Sequence, residues 1–376
     1  MFVPLSYNLR SLGRRRVRTA LTVFGIAAVI SVYVVMNSVS VTMRTMFAKT
    51  GQADELLITQ AGSINPEFSS MARGTGTFLR AHPRVAVDPS GEPLVSPELY
   101  IASRLTRGAT TRDVLLRGVA PIAARAYRQL RVGEGTFVGP GRKALVGRQM
   151  AATAGLRTSD VLDLEGEKWT VVGVFDAGGT VFEQEIWLDL DELGAATNRA
   201  DLTNFFMRVK SAGEAQAAVD ELSAQRSEPM QAMTAPAAYA RVGGMSIWMA
   251  ALGQFIALTI ALGAIFGGMN TMYAAVASRV REIGILRALG YRSWAVLLSF
   301  LFESVAIGLA GGALGALFAL GLAQVPLDIP FFMSGATSIN ASSLRAGFVL
   351  AGAVGLLGGF FPAWQASRVK VVDVLR

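Results

Sequence analysis

Four long stretches of this chain carry almost no charge, and they decide what it can fold into. Thr19 to Met43 has no charged residue, and Val242 to Ser278 has none and is strongly apolar from Ile247. Ser293 to Val325 carries only Glu303, and Ala346 to Ser367 carries none. A transmembrane helix needs about 20 mostly apolar residues, so each stretch predicts a membrane span. Charged residues make up only 16% of the chain, and they cluster between the first two stretches and beside the others.

Arginine placement then predicts orientation. Arg10, Arg14, Arg15, Arg16 and Arg18 precede span one; Arg279, Arg281, Arg287 and Arg292 lie between spans two and three; Arg368, Lys370 and Arg376 follow span four. The loop between spans three and four has only Asp328 and Arg345. The positive-inside rule places both termini and the 278–293 loop in the cytoplasm. The expected organisation is a basic segment and span one over 1–43, a large α+β extracytoplasmic domain over 44–243, and spans two to four over 244–376. Span one is expected to be a retained anchor, because its apolar run is much longer than the roughly 7–15 residues of a signal peptide. The net charge of +8 needs no nucleic acid, since cytoplasmic-side arginines on anionic lipid account for most of it. The absence of cysteine excludes disulfides, thiolate metal sites and cysteine nucleophiles.

The inserted segment offers alternating or β-branched runs that predict strands at Glu55–Gln60, Leu99–Ala102, Val114–Val119, Lys143–Val146, Trp169–Phe175, Glu185–Leu188 and Phe205–Val209. Ala215, Val219 and Leu222 recur at helical spacing within Ala212–Gln225, and Gln149–Leu156 predicts a second short helix. Residues 61–80, rich in Gly, Ser and Thr, predict a mobile loop. His82, the only histidine, has no G-x-S-x-G partner motif and is expected to be a surface residue. Asp160, Asp163, Glu165 and Glu167 lack the pattern of an EF-hand and predict solvated turns around a strand. Asn340-Ala341-Ser342 matches a glycosylation sequon, a match common by chance. No catalytic or metal site is expected.

Small residues recur four apart at Gly263 and Gly267, Gly308 and Gly312 (with Gly311 and Gly315), and Gly355 and Gly359. This spacing predicts close helix packing within or between subunits. Span two exceeds the roughly 30 Å hydrocarbon core and is expected to project outward as a stalk. Glu303 is the one intramembrane acid. No basic residue in the neighbouring spans would form a relay with it, so a structural role is expected.

Between spans two and three, "SRVREIGILRALGYRS" reads as a short helix over 279–290. Gly290 suits the left-handed position past its end, and Arg287 suits its last turn. Its apolar residues are expected to find no core within so small a cytoplasmic portion. That leaves the membrane surface or a groove in a partner protein, and the helix alone does not choose between them.

"REIGILRALGYRS" resembles the coupling helix of the MacB/FtsX-type (type VII, mechanotransmission) ABC transporter permeases. "NLRSLGRRRVRTALTVFGI" and "FESVAIGLAGGALGAL" are similar to that family's first and third spans, and "PAWQASRVKVVDVLR" resembles its C-terminal ending. Valine at 371 or 372 replaces the usual proline there. "LLRGVAP" and "KALVGRQMAATAGLRTSDVLDLEGEKWTVVGVF" resemble the MacB periplasmic core domain. The resemblance implies a non-catalytic permease subunit in a bacterial inner membrane, paired with a second copy or paralogue. Arg281, Glu282, Ile283, Gly284, Ile285, Leu286, Arg287, Ala288 and Gly290 would contact an ABC ATPase. The chain has no G-x-x-x-x-G-K-[ST] loop, so ATP and Mg are expected on a separate ATPase chain. Implied outputs are efflux, with an adaptor and an outer-membrane duct, or extraction of lipid, lipoprotein or peptide. An alternative is FtsX-like activation of a cell-wall hydrolase, disfavoured by the large inserted domain.

Overall fold

The computed structural model describes residues 16–63, 66–108, 110–225, 228–324, 327–329, 333–335 and 339–369. Arg10, Arg14 and Arg15, and the tail from Lys370, lie outside the described residues. Helix α1 (Arg16–Lys49) leads to β1 (Glu55–Gln60), α2 (Thr75–Arg80), β2 (Val95–Arg107), β3 (Thr110–Val119) and α3 (Ala123–Ala126). Then come β4 (Arg131–Gly135), β5 (Lys143–Gly147), α4 (Arg148–Ala154), β6 (Val161–Leu164), β7 (Glu167–Asp176) and β8 (Glu185–Asp189). After them follow α5 (Leu190–Ala196), β9 (Asn204–Arg208), α6 (Ala215–Ser223), β10 (Met230–Thr234), α7 (Ala235–Ala277), α8 (Val280–Ala288), α9 (Ser293–Leu322) and α10 (Ala341–Ser367). The chain divides into two compact units. One is built from α1 as far as Val41, α7 from Trp248, and α8 to α10; the other runs from Thr42 to Ile247, with the strand pair Leu327–Ile329 and Met333–Gly335.

The first unit contains four helices long and apolar enough to cross a membrane: Thr19–Lys49, Ala251–Ala277, Ser293–Leu322 and Ala341–Ser367. Helix α7 is continuous over 43 residues, about 65 Å at 1.5 Å per residue, and so exceeds a bilayer core as its composition predicted. Asn340 accepts from the Ser343 N–H and caps α10, which gives the sequon asparagine a local structural task.

In the second unit a ten-stranded sheet runs in the order β10-β1-β9-β2-β3-β8-β5-β7-β4, with β6 on β7. The pairs β3–β8 and β5–β7 are parallel and the others antiparallel. Successive side chains on a strand point to opposite faces. Accordingly Ala144 and Val146 enter one core and Leu145 the other, and Ile186 and Leu188 divide from Trp187 in the same way. Burial on both faces is why these strands read as unbroken apolar runs. The second core also encloses a charge. Arg117 donates to Glu185 through Nε and Nη2 (2.6 Å each) and through Nη1 to Glu98 (2.9 Å) and the Tyr127 hydroxyl (3.0 Å). Its guanidinium also lies over the Tyr100 ring.

Three expectations change here. The described part of 61–80 is not loop throughout: Pro66–Phe68 forms a helical turn, Met71 bridges Leu202, and Leu79 of α2 is buried. His82 is not a surface residue, since its side chain is 8% exposed. Its Nδ1 accepts from the Arg84 N–H, which places the proton on Nε2, 3.4 Å from Glu221. Burial lowers the His82 pKa, against the pull of Glu221. Strands β4, β6 and β10 were not foreseen. The acidic cluster does form turns: Glu165 and Gly166, with φ of 55° and 77°, close the β6–β7 hairpin, and Asp160 pairs with Arg107 at 3.1 Å. Among the described residues no three His, Asp or Glu side chains converge as a metal site.

Candidate functional site

The helix between spans two and three is set by its ends. Helix α7 stops at Ala277, and Arg279 leaves the helical conformation with φ −117°. No side chain caps α8; Glu282 instead lies in its first turn and Arg287 in its last, each favourable toward the helix dipole. At the far end Gly290 has φ +91°, as its position predicted. The Gly290 N–H bonds to the Arg287 carbonyl (3.2 Å) and the Tyr291 N–H to that of Leu286 (3.1 Å), which completes a Schellman motif. A side chain at 290 would be strained in this backbone conformation.

Two faces of α8 separate the residues that the sequence groups together. On the inner face Ile283 is 2% exposed and packs with Met272 and Val276 of α7, Val296 and Phe300 of α9, and Ala363 and Ala366 of α10. Gly284 is buried beside it, and Leu286 and Arg287 are half-buried. On the outer face Arg281, Glu282, Ile285, Ala288 and Leu289 are exposed, Ile285 by 49% and Leu289 by 70%. At about 100° per residue these five span an arc of about 120°. The expectation that this helix could bury nothing against its own chain therefore fails for one stripe. The ends of three spans supply the core that the loop lacks.

Glu303 lies beside the coupling segment. It has a basic partner, which comes not from a span but from the first residue of the coupling segment: Arg279 Nη1 lies 3.1 Å from Glu303 Oε2. The side chains are 11% and 6% exposed, respectively. At the other end Arg287 donates to the Ser293 hydroxyl at the start of α9. Four-residue spacing places Arg279, Ile283 and Arg287 on one face, which marks the stripe in the sequence but not the partner that Arg279 meets.

The glycines divide as well. A Cβ on Gly308 would stand 2.6 Å from the Ala351 carbonyl oxygen, on Gly312 2.7 Å from the Ala351 Cβ, and on Gly315 2.7 Å from the Ala27 carbonyl oxygen. On Gly355 it would stand 2.7 Å from the Ser304 carbonyl oxygen, and on Gly359 it would overlap the Ser304 side chain. These five pack as their spacing predicted. At Gly263 and Gly267 no described residue of the chain lies within 4 Å of the Cβ position, which leaves packing between subunits as the role of their spacing. Polar ties join the same helices. Ser304 Oγ donates to the Gly355 carbonyl (2.5 Å), and Asn37 links Ser343 and Gln254 (2.9 and 3.0 Å).

Comparison with known proteins bears on this arrangement. Residues 19–225, more than half the chain, match the family model of the MacB-like periplasmic core domain, and residues 254–371 match that of the FtsX-like permease C-terminal region. The chain is similar to the macrolide export ATP-binding/permease protein MacB of Syntrophobacter fumaroxidans, 34% identical over 110 residues, 29% of this chain and 15% of the relative. With the Rhodopseudomonas palustris MacB it is 37% identical over 134 residues, 35% and 19%. With the uncharacterized ABC transporter permease YvrN of Bacillus subtilis it is 39% identical over 110 residues, 29% and 26%. The matched part thus spans between 15% and 26% of these relatives' lengths. Among solved structures it is similar to the extracellular domain of the ABC-type transporter YknZ from Gram-positive bacteria, at TM-score 0.36 and 16% identity, covering 48% of this chain and 99% of that one. It is also similar to the periplasmic region of MacB from Actinobacillus actinomycetemcomitans, at TM-score 0.40 and 9% identity, covering 52% and 94%. With four apolar membrane helices and an α+β domain inserted between the first and second, the chain belongs to the MacB/FtsX-like family of ABC transporter permeases.

Proposed function

We propose that this permease is driven by a separate ABC ATPase that docks on the outer face of α8, and that it moves a hydrophobic or amphipathic substrate at the extracytoplasmic side of the bacterial inner membrane. The observation that carries this reading is the arc Arg281, Glu282, Ile285, Ala288 and Leu289. It is an exposed apolar pair ringed by both signs of charge, on a helix whose other face is anchored in its own chain. Apolar anchors with a polar rim suit a protein groove. ATP and Mg would be held by that partner. A second permease copy, seated on the open Gly263–Gly267 face of α7, would complete the machine, and a periplasmic adaptor and outer-membrane duct would serve an efflux output.

The test is purification of the full chain from native membranes, in wild-type form and as Ile285→Asp, with mass spectrometry of what accompanies it. Ile285 is half-exposed, and substitutions at such sites usually change stability by no more than about 0.5 kcal/mol. Loss of a partner would therefore report docking and not unfolding. An interface anchor contributes about 2 kcal/mol or more, so recovery of the ATPase should fall about thirtyfold. An ATPase recovered equally with both proteins, or with neither, overturns the docking face.

A further inference from the structure

We propose that Arg279 and Glu303 are the joint that holds α8 in one register on span three, so that the coupling helix and α9 move as one body. The inference rests on the docking reading above for its purpose, but not for its geometry. Three contacts run down one face of the coupling segment at four-residue intervals. Arg279 meets Glu303 at 3.1 Å, Ile283 sits in the cluster with Phe300 and Val296, and Arg287 reaches Ser293. Their partners descend α9 as the residue numbers rise along the coupling segment. Helix α8 therefore lies antiparallel along roughly the first three turns of α9.

The contacts do different things. Apolar contact is non-directional, so the Ile283 cluster alone would tolerate α8 slipping along α9. A buried ion pair is different: displaced, Arg279 would lose the carboxylate it meets in a place where water does not replace it. Arg279–Glu303 thus selects a single register, and Arg287–Ser293 lies at the accessible end. Residues next to Glu303 carry the motion onward. Ser304 bonds the Gly355 carbonyl of α10 (2.5 Å), and Gly311 and Gly315, two and three turns further on, stand against Ile26 and Ala27 of α1. A displacement delivered at Arg279 enters the helix packing at this level of span three. Arg279 and Glu303 are positioning residues, acting through the helices they fix.

The chain has no cysteine, so paired cysteines report cleanly. Nitroxide labels at Ala288→Cys on the exposed face of α8 and Phe302→Cys on the exposed face of α9 would report their separation by pulsed EPR, using the full chain in lipid nanodiscs. A second pair, Leu317→Cys and Leu357→Cys, exposed on α9 and α10, reports packing of the spans. The expected result is a narrow α8–α9 distribution that broadens at least twofold with Glu303→Gln and with Arg279→Met and stays narrow with Arg279→Lys, while the α9–α10 distribution is unchanged throughout. An α8–α9 distribution unmoved by both charge-removing variants overturns the joint. Equal broadening of both pairs also overturns it, because the ion pair would then only support the fold. No ATPase is needed, so a failed docking experiment leaves this result readable, and a failed joint leaves the docking face standing.

Discussion

Glu55 begins β1 with no exposed surface. One carboxylate oxygen accepts from the Gln52 N–H at 2.7 Å, and the other has no hydrogen-bond partner among the described residues. Burial raises its pKa from 4.5 to about 7; the Gln52 bond and the Arg208 and Arg128 charges oppose the shift, and Asp54 adds to it. The folded protein therefore holds this proton more tightly than the unfolded chain does. Its contribution to stability is complete below pH 4.5 and is lost as pH rises through about 7. At 1.36 kcal/mol per pK unit the loss is on the order of 3 kcal/mol. Glu55→Gln keeps a carbonyl for the Gln52 N–H and removes the titration. The variant should be more stable than wild type at about pH 8 and differ least at about pH 5. Urea unfolding followed by tryptophan fluorescence, to which the buried Trp169 and Trp187 contribute, would measure both. A parallel pH profile in the two proteins would contradict this account of Glu55. Nothing in the sequence marks Glu55 or Arg117 as buried. Each sits in a strand whose alternation is apolar on both sides, and only the sheet order decides which charges meet.

At the scale of elements, the glycines make a matched experiment. A Cβ at Gly355 meets backbone, the Ser304 carbonyl oxygen at 2.7 Å and the Val305 Cα at 3.0 Å, which cannot rotate away. Gly355→Ala should force α9 and α10 apart at a cost of about 1–3 kcal/mol, seen as a lower thermal midpoint in detergent. In detergent that leaves the subunit monomeric, Gly263→Ala adds its methyl to open space and should leave the midpoint unchanged or raise it, since Ala favours a helix over Gly by about 1 kcal/mol. A drop at Gly263→Ala comparable with that at Gly355→Ala would contradict the open face. The glycine spacing was legible in the sequence, but which glycines find a neighbour within the chain was not. The strands show the same divide. Runs buried on both faces, such as Leu56–Ile58 and Phe205–Met207, announce themselves, whereas β4, with sequence RVGEG and four of five residues exposed, offers no apolar pattern. Helix α2 forms from Gly- and Thr-rich sequence because Leu79 has a core to enter, information that lies outside its own window. For the candidate site, the Gly290 cap and the outward Ile285–Leu289 pair were legible from local spacing. The Arg279–Glu303 contact needed the chain to fold back on itself.

For the whole molecule the decisive property is sidedness, because ATP is available only on the cytoplasmic face and the proposed docking helix must lie there. Arg279, Arg281, Arg287 and Arg292 stand between the second and third membrane helices, while Asp328 is the only charged residue between the third and fourth and Arg345 lies near the start of the fourth. Basic residues resist translocation, which argues for α8 inside and the α+β unit outside. The cysteine-free chain allows a direct reading. Thr106→Cys, on an exposed stretch of β2, should react with a membrane-impermeant maleimide on intact cells. Ala288→Cys, exposed on α8, should react only after the membrane is opened. The reverse pattern would place α8 away from ATP and end the docking proposal whatever accompanies the protein on purification. With the expected pattern, the same reagent gives a second reading in opened membranes. Ala288 lies within the arc assigned to the ATPase, so a seated partner should slow its labelling and leave Thr106 unaffected. Ile285→Asp should restore the fast rate at Ala288, because removing the apolar anchor frees the face without disturbing the stripe that holds the helix to its own chain.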